Sequence, residues 1–303
     1  MASLADTFNP QAPGYLLLVE KASGLRAADF GFSGKSDPYV VVTHPTSPSA
    51  VNEKTSVILD NLNPVWNECF LITNLPREQP PVLRCTVFDK DNGSSDDFLG
   101  TCDIDLAAFV KNPDAWNNVT LSLRGLAPNG KAAQGTLSLS LRGYRDVSLR
   151  VVKADKLRNA DGFFGKSDSF ARVVGLTAKA ELWGETSTCQ DELNPTWNQT
   201  FAVELRSRLP MGGKLVPLTV SCWDEDYQKR STSNDDPLGR ADLAWKQLWP
   251  DNNQMAELSL PLKGSGAKSG SSVTVSVAAP DSSSGAGGQE AASGGGGGGG
   301  GGG

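Results

Sequence analysis

Apolar residues along this chain come in short bursts, several alternating with polar ones, and Gly, Pro, Asn or Asp separates most of them. Thr136-Leu137-Ser138-Leu139-Ser140-Leu141 is the clearest case. Leucine at every second position gives a strand one apolar face. The same reading predicts strands over Tyr15–Glu20, Tyr39–Thr43, Lys54–Ile58, Glu68–Thr73, Leu83–Phe88, Gly100–Asp105, Val119–Leu123 and Thr136–Leu141, all rich in Val, Leu, Ile, Thr and aromatic residues. Helical periodicity is confined to two short stretches, Leu106–Lys111 and Leu243–Leu248. Eight short strands punctuated by turn residues predict an all-β, antiparallel β-sandwich.

The pattern occurs twice. Phe32-Ser33-Gly34-Lys35-Ser36-Asp37 returns as Phe163-Phe164-Gly165-Lys166-Ser167-Asp168. Asp60-Asn61-Leu62-Asn63-Pro64-Val65-Trp66-Asn67 returns as Asp191-Glu192-Leu193-Asn194-Pro195-Thr196-Trp197-Asn198, at the same separation of 131 residues. Phe88-Asp89-Lys90-Asp91 matches Trp223-Asp224-Glu225-Asp226 at 135, and Asp97-Phe98-Leu99-Gly100 matches Asp236-Pro237-Leu238-Gly239 at 139. Constant order with stepwise growth in spacing is what loop insertions produce, so two homologous domains are expected. Thr136–Leu141 suits either domain, but the second copy ends on a similar strand, Ser272–Val277, with nothing after it to join. Each is therefore assigned as the closing strand of its own domain. The resulting division is a flexible N-terminus (1–12), a first domain (13–143), a second (144–280) and a Gly/Ser-rich tail (281–303) expected to be disordered.

Composition narrows the functions. A net charge of −6 and a pI near 5.0 argue against broad nucleic-acid binding. There is no signal-peptide layout at the N-terminus, no lipidation motif and no run of about 18 apolar residues, so any membrane contact is expected to be peripheral, from the cytoplasmic side. Five cysteines without a CxxC pair read as small hydrophobic residues in a reducing compartment. The single histidine, His44, reads as a solvated loop residue, and its solitude removes most catalytic triads and His-based metal sites. Nucleophile elbows, Walker loops and zincin motifs are missing, so no enzymatic activity is expected. Trp66 and Trp197, each after a proline turn, read as packing residues.

The aspartates carry the chemistry. In the first copy Asp29, Asp37, Asp89, Asp91 and Asp97 fall in two loops, and Asp89-x-Asp91 directs two carboxylates to one side if the strand continues that far. In the second, Asp161, Asp168, Asp224, Asp226 and Asp236 repeat them. Aspartate is also a common turn residue, but recurrence of the whole set favours a site for a hard cation that takes six to eight oxygens.

Taken together, Gly34–Tyr39, Leu62–Asn67, Phe88–Asp91, Asp97–Gly100 and their counterparts resemble the C2 domain family over about Pro13 to Pro280. The Lys-Ser-Asp loops are most similar to the paired C2 domains of copines, although the A-type domain that follows those is not in this chain. The resemblance implies two eight-stranded Greek-key sandwiches, each with calcium loops at one end, and assigns those ten aspartates as Ca2+ ligands. It adds Ser94 as an occasional hydroxyl ligand and the carbonyls of Phe30 and Lys90. Departures from the family pattern are the lengthened first loops, Asp168-Ser169 in place of Asp-Pro, and a longer third loop in the second domain, where Asp235 competes with Asp236 as fifth ligand.

The function so implied is non-catalytic, calcium-dependent binding to an anionic phospholipid surface, as in signalling or membrane trafficking. Phe30, Phe163, Tyr227, Lys229 and Arg230 are candidate membrane contacts, whereas Phe32 and Phe164 are expected to turn into the sandwich. Protein partners remain compatible with this reading. The competing function is a calcium-independent protein-interaction scaffold on the same fold.

Overall fold

In a computed structural model, residues 14–28, 35–76, 81–162, 165–226, 235–253 and 255–278 are described. Asp29, Phe30, Phe32, Phe163, Phe164, Tyr227, Lys229, Arg230 and the Gly/Ser-rich tail lie outside them.

The first domain contains β1 (Tyr15–Ser23), β2 (Pro38–Thr43), β3 (Asn52–Lys54), β4 (Val65–Ile72), β5 (Val82–Asp89), β6 (Asp97–Asp105), α1 (Leu106–Phe109), β7 (Asn117–Ser122) and β8 (Thr136–Gly143). The second contains β9 (Val147–Asp155), β10 (Ser169–Leu176), β11 (Leu182–Glu185), β12 (Thr196–Val203), α2 (Leu205–Arg208), β13 (Gly213–Lys214), β14 (Val216–Asp224), β15 (Asp236–Leu243), α3 (Trp245–Leu248), β16 (Ala256–Pro261) and β17 (Ser272–Ala278). Two four-stranded antiparallel sheets, β4-β1-β8-β7 and β3-β2-β5-β6, form the first sandwich. Sheets β12-β9-β17-β16 and β11-β10-β14-β15 form the second. Strand β8 pairs with β1 and β7, and β17 pairs with β9 and β16.

Several expectations are adjusted. The strand predicted over Lys54–Ile58 is instead the three-residue β3, which ends at Lys54. Beyond it the Thr55 hydroxyl takes the Val40 N–H (2.8 Å), so a side chain replaces the ladder carbonyl. Thr186 does the same to Ala171 in the second domain (2.9 Å). Leu243 belongs to β15 rather than to a helix, and α2 has no counterpart among the predicted elements. His44 is not solvated: it is 2% exposed, with Thr46 Oγ1 3.3 Å from its Nδ1. The cysteines are free, and all but Cys189 are buried. Trp66 and Trp197 are both buried. Asn67 and Asn198, which follow them, take positive φ (50° and 53°), a conformation asparagine tolerates better than most residues. That need gives the repeated Asn-Pro-x-Trp-Asn segment a backbone reason for its last residue.

The two sandwiches share packing. Strand β1 is buried on both faces: Tyr15, Leu17 and Val19 join the first domain's core, whereas Leu16 and Leu18 join a cluster continuous with the second domain's core, together with Cys69, Leu71 and Trp116. Strand β13 adds to the first domain's sheet, with Gly213 opposite Leu71 and Lys214 opposite Phe70. Covering an edge strand in this way satisfies backbone groups that would otherwise face solvent. Arg142, fully buried, donates to the carbonyls of Trp249 (2.6 Å), Pro250 (3.1 Å) and Asp114 (3.3 Å). The indole N–H of Trp245 reaches Asn67 O (2.9 Å), and Lys246 pairs with Glu20 (3.0 Å). Three residues, Tyr144 to Asp146, separate β8 from β9, and the Tyr144 hydroxyl accepts the Leu205 N–H (2.8 Å).

Candidate metal centre

Each sandwich gathers acids where the ends of three neighbouring strands meet. In the first domain Asp37 immediately precedes β2, Asp89 closes β5, and Asp97 opens β6 opposite Asp89. The Asp37 N–H donates to Asp89 Oδ1 (2.5 Å), and Asp37 Oδ1 accepts the Asp60 N–H (2.8 Å). The Asp37 carbonyl accepts the Lys90 N–H (3.0 Å). In the second domain the Asp168 N–H donates to Asp224 Oδ1 (2.6 Å), Asp168 Oδ1 accepts the Asp191 N–H (2.9 Å), and the Asp168 carbonyl accepts the Glu225 N–H (3.0 Å). Two recurring side chains brace the first loop. Ser36 Oγ bridges Arg26 O and Ala28 N (both 3.0 Å), as Ser167 Oγ bridges Arg158 O (3.1 Å) and Ala160 N (2.8 Å). This bracing accounts structurally for the serine of the repeated Lys-Ser-Asp.

The second domain shows convergence directly. Carboxylate oxygens of Asp161, Asp224 and Asp226 lie within 4.8 Å of one another. Two oxygens on one calcium ion, each about 2.3–2.6 Å from it, are separated by at most about 5 Å, so one ion fits among the three. Asp224 is fully buried, and its Oδ2 has no hydrogen-bond partner among the described residues. Burial raises the pKa of all three. Asp168, Asp226, Asp191 and Asp236 add to it at Asp161, and Asp236, Asp224 and Asp235 at Asp226. At Asp224, burial and the charges of Asp161 and Asp168 outweigh the nearby Ser167 hydroxyl and the Asp168 N–H. Anionic oxygens held this close without compensation disfavour their own charged form, which a divalent cation would relieve.

The paired aspartates before the Leu-Gly of each third loop separate into two roles. Asp235 is buried and pairs with Arg172 Nη2 (3.2 Å); the same guanidinium bonds Glu185 through Nε and lies with its Cζ over the rings of Phe170 (4.9 Å) and Trp223 (5.2 Å). Asp236 is exposed, gives its N–H to Asp226 and sits 3.4 Å from Arg158. In the first domain Asp96 takes the hydroxyl of Tyr39 (2.6 Å), Lys90 Nζ (2.8 Å) and the Asp91 N–H (3.1 Å). Lys90 first and then Tyr39 hold Asp96 down at about 2, while burial and Asp96 push Tyr39 up to about 12. Ser94 is exposed in the same connection. The sequence reading did not assign Asp96, Arg26, Arg158 or the bracing serines. Recurrence of Arg26 and Arg158 ahead of the acid loops was the available signal.

A pair of antiparallel sandwiches with matched acidic loops defines the class. The C2 domain family model matches residues 16–119 and 145–262, and the chain belongs to that family. It is 30% identical to human Synaptotagmin-7 over 247 residues, covering 79% of this chain and 57% of that protein. It is also 30% identical to the human Multiple C2 and transmembrane domain-containing protein 1 over 230 residues, covering 65% of this chain and 21% of that one. The chain thus spans only part of these relatives. Among solved structures, the calcium-bound C2A- and C2B-domains of Extended-Synaptotagmin 2 match at 20% identity and a TM-score of 0.36, covering 89% of this chain and 97% of that one. No helix among the described residues is long and apolar enough to cross a membrane.

Proposed function

We propose that the chain binds calcium through its aspartate loops and thereby docks on an anionic phospholipid surface without catalysing a reaction, recruited peripherally from the cytoplasm. The convergence of Asp161, Asp224 and Asp226 around a space fit for one ion carries this reading. An all-carboxylate donor set suits a hard cation and offers nothing to a soft one. In the second domain Asp168 and Asp236 complete the proposed set, and in the first Asp29, Asp37, Asp89, Asp91 and Asp97 fill the same roles. Bound calcium supplies positive charge and open coordination positions for lipid phosphate oxygens. The aspartates set the response: five carboxylates at one end repel an anionic surface, and two calcium ions leave about −1. Phe30 and Phe163 would add apolar contact, and Tyr227, Lys229 and Arg230 would meet headgroups.

The test is co-sedimentation with phosphatidylserine vesicles, with calcium and with chelator, on the wild type, Asp224→Asn/Asp226→Asn and Asp89→Asn/Asp91→Asn. Calcium-dependent pelleting weakened by each pair supports the proposal for that domain. Recovery in the supernatant under every condition would leave the calcium-independent scaffold as the function to pursue.

A further inference from the structure

We infer that Cys85 and Cys102 form a redox-modification site in the first domain: a thiol pair that a peroxide closes into a disulfide across β5 and β6. The inference is independent of the calcium reading. The two cysteines stand directly opposite each other in the β5–β6 ladder, and both are buried in the first domain's core. Their thiols hydrogen-bond to each other. The backbone fixes their separation. Thr101, the residue before Cys102, exchanges both backbone hydrogen bonds with Arg124 (2.9 and 2.8 Å), so its amide and carbonyl turn away from β5. Those of Cys102, next along the strand, therefore turn toward Cys85. Residues paired in this way have Cα atoms about 5.5 Å apart, within the range that disulfides span.

Packing alone does not call for sulfur at these positions. At the repeat separations of 135 and 139 residues, Val220 and Ala241 stand where the first domain has Cys85 and Cys102, and they too face each other across a ladder. Both are buried, so the second sandwich fills the same space with a valine and an alanine. The other three cysteines have no thiol opposite them. Cys69 is opposite Leu18, Cys222 lies between Ala171 and Gly239, and Cys189 faces Ser169. Among the described ladders, cysteine faces cysteine only in the β5–β6 pair.

The two thiols differ in reactivity. The hydrogen bond from Cys85, and after it the Arg124 charge, hold Cys102 below the ordinary thiol value against burial and the Asp103 charge. The bond to Cys102 and burial push Cys85 up. Cys102 is therefore the attacking sulfur. Strand β6 is the edge of its sheet, so opening of one ladder admits a molecule as small as hydrogen peroxide. The Cys102 thiolate attacks one peroxide oxygen, the O–O bond breaks, and hydroxide leaves a sulfenic acid behind. The Cys85 sulfur then attacks Cys102 Sγ, the S–O bond breaks, and hydroxide departs with the Cys85 proton as water. The thiols lose two electrons and two protons in all, and peroxide becomes two waters. Facing Cβ atoms in a ladder are about 4.5–5.5 Å apart and a disulfide prefers about 3.8 Å, so the strands draw together and the bond is easily reduced again. Its ring, from Cys85 to Cys102, contains Asp89, Asp91, Asp96 and Asp97, so closing it stiffens the loop that carries those acids.

The test treats the full chain, folded and in chelator, with hydrogen peroxide. The protein is then denatured, alkylated and digested with trypsin without reduction for mass spectrometry. Trypsin cuts after Arg84, Lys90 and Lys111, so a Cys85–Cys102 bond holds peptides 85–90 and 91–111 together. The linked pair is expected, about 2 Da below the summed mass of the two thiol peptides, and dithiothreitol should restore both thiols. Cys85→Val/Cys102→Ala installs the second domain's own residues, so it should leave the fold intact and give no link. Hydrogen exchange over 86–101 should slow severalfold on oxidation of the wild type and stay unchanged in the double variant. Thiols at Cys85 and Cys102 that remain alkylatable, or that end as sulfinic acids or bonded to another cysteine, would overturn the site. A link that leaves exchange over 86–101 unchanged would overturn its effect on the loop.

Discussion

The two domains place Asp37 and Asp168, Asp89 and Asp224, and Asp97 and Asp236 at matching strand ends, yet they support those acids by different chemistry. In the first, the acid before Asp97 is partly exposed: Asp96 is held by Tyr39, Lys90 and the Asp91 amide, beside the stacked rings of Tyr39 and Phe88. In the second, its counterpart Asp235 is buried against Arg172, which Glu185 and two aromatic rings enclose. These matching aspartates are thus fixed by strand ends and loop amides, which recur. The flanks are free to diverge into an aromatic column beside a partly solvated ion pair or into a buried ionic group.

The largest test of that contrast is Asp235→Ala against Asp96→Ala. Removing Asp235 leaves a buried guanidinium with one carboxylate fewer, and should cost about 4 kcal/mol. Removing Asp96 breaks a partly solvated pair and should cost about 1 kcal/mol. Urea unfolding of the full chain reads both, and equal losses would show that the two flanks are equivalent in stability despite their geometry.

A second difference lies in the sheets behind the sites. In β1 the first five residues are all buried, whereas in β9 buried and partly exposed positions largely alternate. The outer face of the first domain's sheet is covered by the second domain, and Arg142 sits in that seam with its pKa lowered to about 10 by burial, against the opposing charge of Asp251. Arg142→Ala removes hydrogen bonds to three carbonyls across and around the seam and should cost about 3 kcal/mol. Hydrogen exchange should show lost protection in β1 and β13 first. Unchanged exchange there would mean that the seam does not couple the domains.

The sequence made most of this fold legible, because strand alternation and the 131-residue repeat are strong local signals. It left the seam unread. The unbroken run Tyr15-Leu16-Leu17-Leu18-Val19 was the available sign, since a half-solvated strand would alternate. The matching aspartates at the strand ends were legible from repetition, but which acid of Asp235-Asp236 turns inward was not. That choice depends on Arg172, distant in sequence and brought alongside by β10. His44 was also misread: it is 2% exposed although it stands beside a proline in a polar connection, so local polarity did not report its burial.

The acid cluster gives a prediction with a definite sign. Folded-state pKa values of Asp161, Asp224 and Asp226 are raised, so their contribution to stability is present below the unfolded carboxylate range and is lost as pH rises through the raised values. The calcium-free chain should therefore lose stability from this cluster on going from acid to neutral pH, and Asp226→Asn should lose less. Calcium at a hundred times its Kd should restore about 2.7 kcal/mol to the wild type at neutral pH. It should restore much less to Asp226→Asn. Thermal unfolding with calcium and with chelator across pH reads all four, and an equal calcium effect in both proteins would remove the cluster from the binding site.

The smallest effect probes the first domain's flank. Tyr39→Phe deletes the hydroxyl that Asp96 accepts but keeps the ring stacked on Phe88 (5.8 Å between centroids). Lys90 is the larger cause of the lowered Asp96 value, so the substitution should raise that value only part of the way toward an ordinary aspartate. Asp96 contributes stability above the unfolded carboxylate range and loses it as pH falls toward about 2, so the variant's loss should be confined to neutral and mildly acidic pH, at well under 1 kcal/mol. Carboxyl NMR titration of Asp96 measures the shift directly. A return to the full unperturbed value would mean that Tyr39 positions Lys90 as well as bonding Asp96, tying the aromatic column to the loop that carries Asp91.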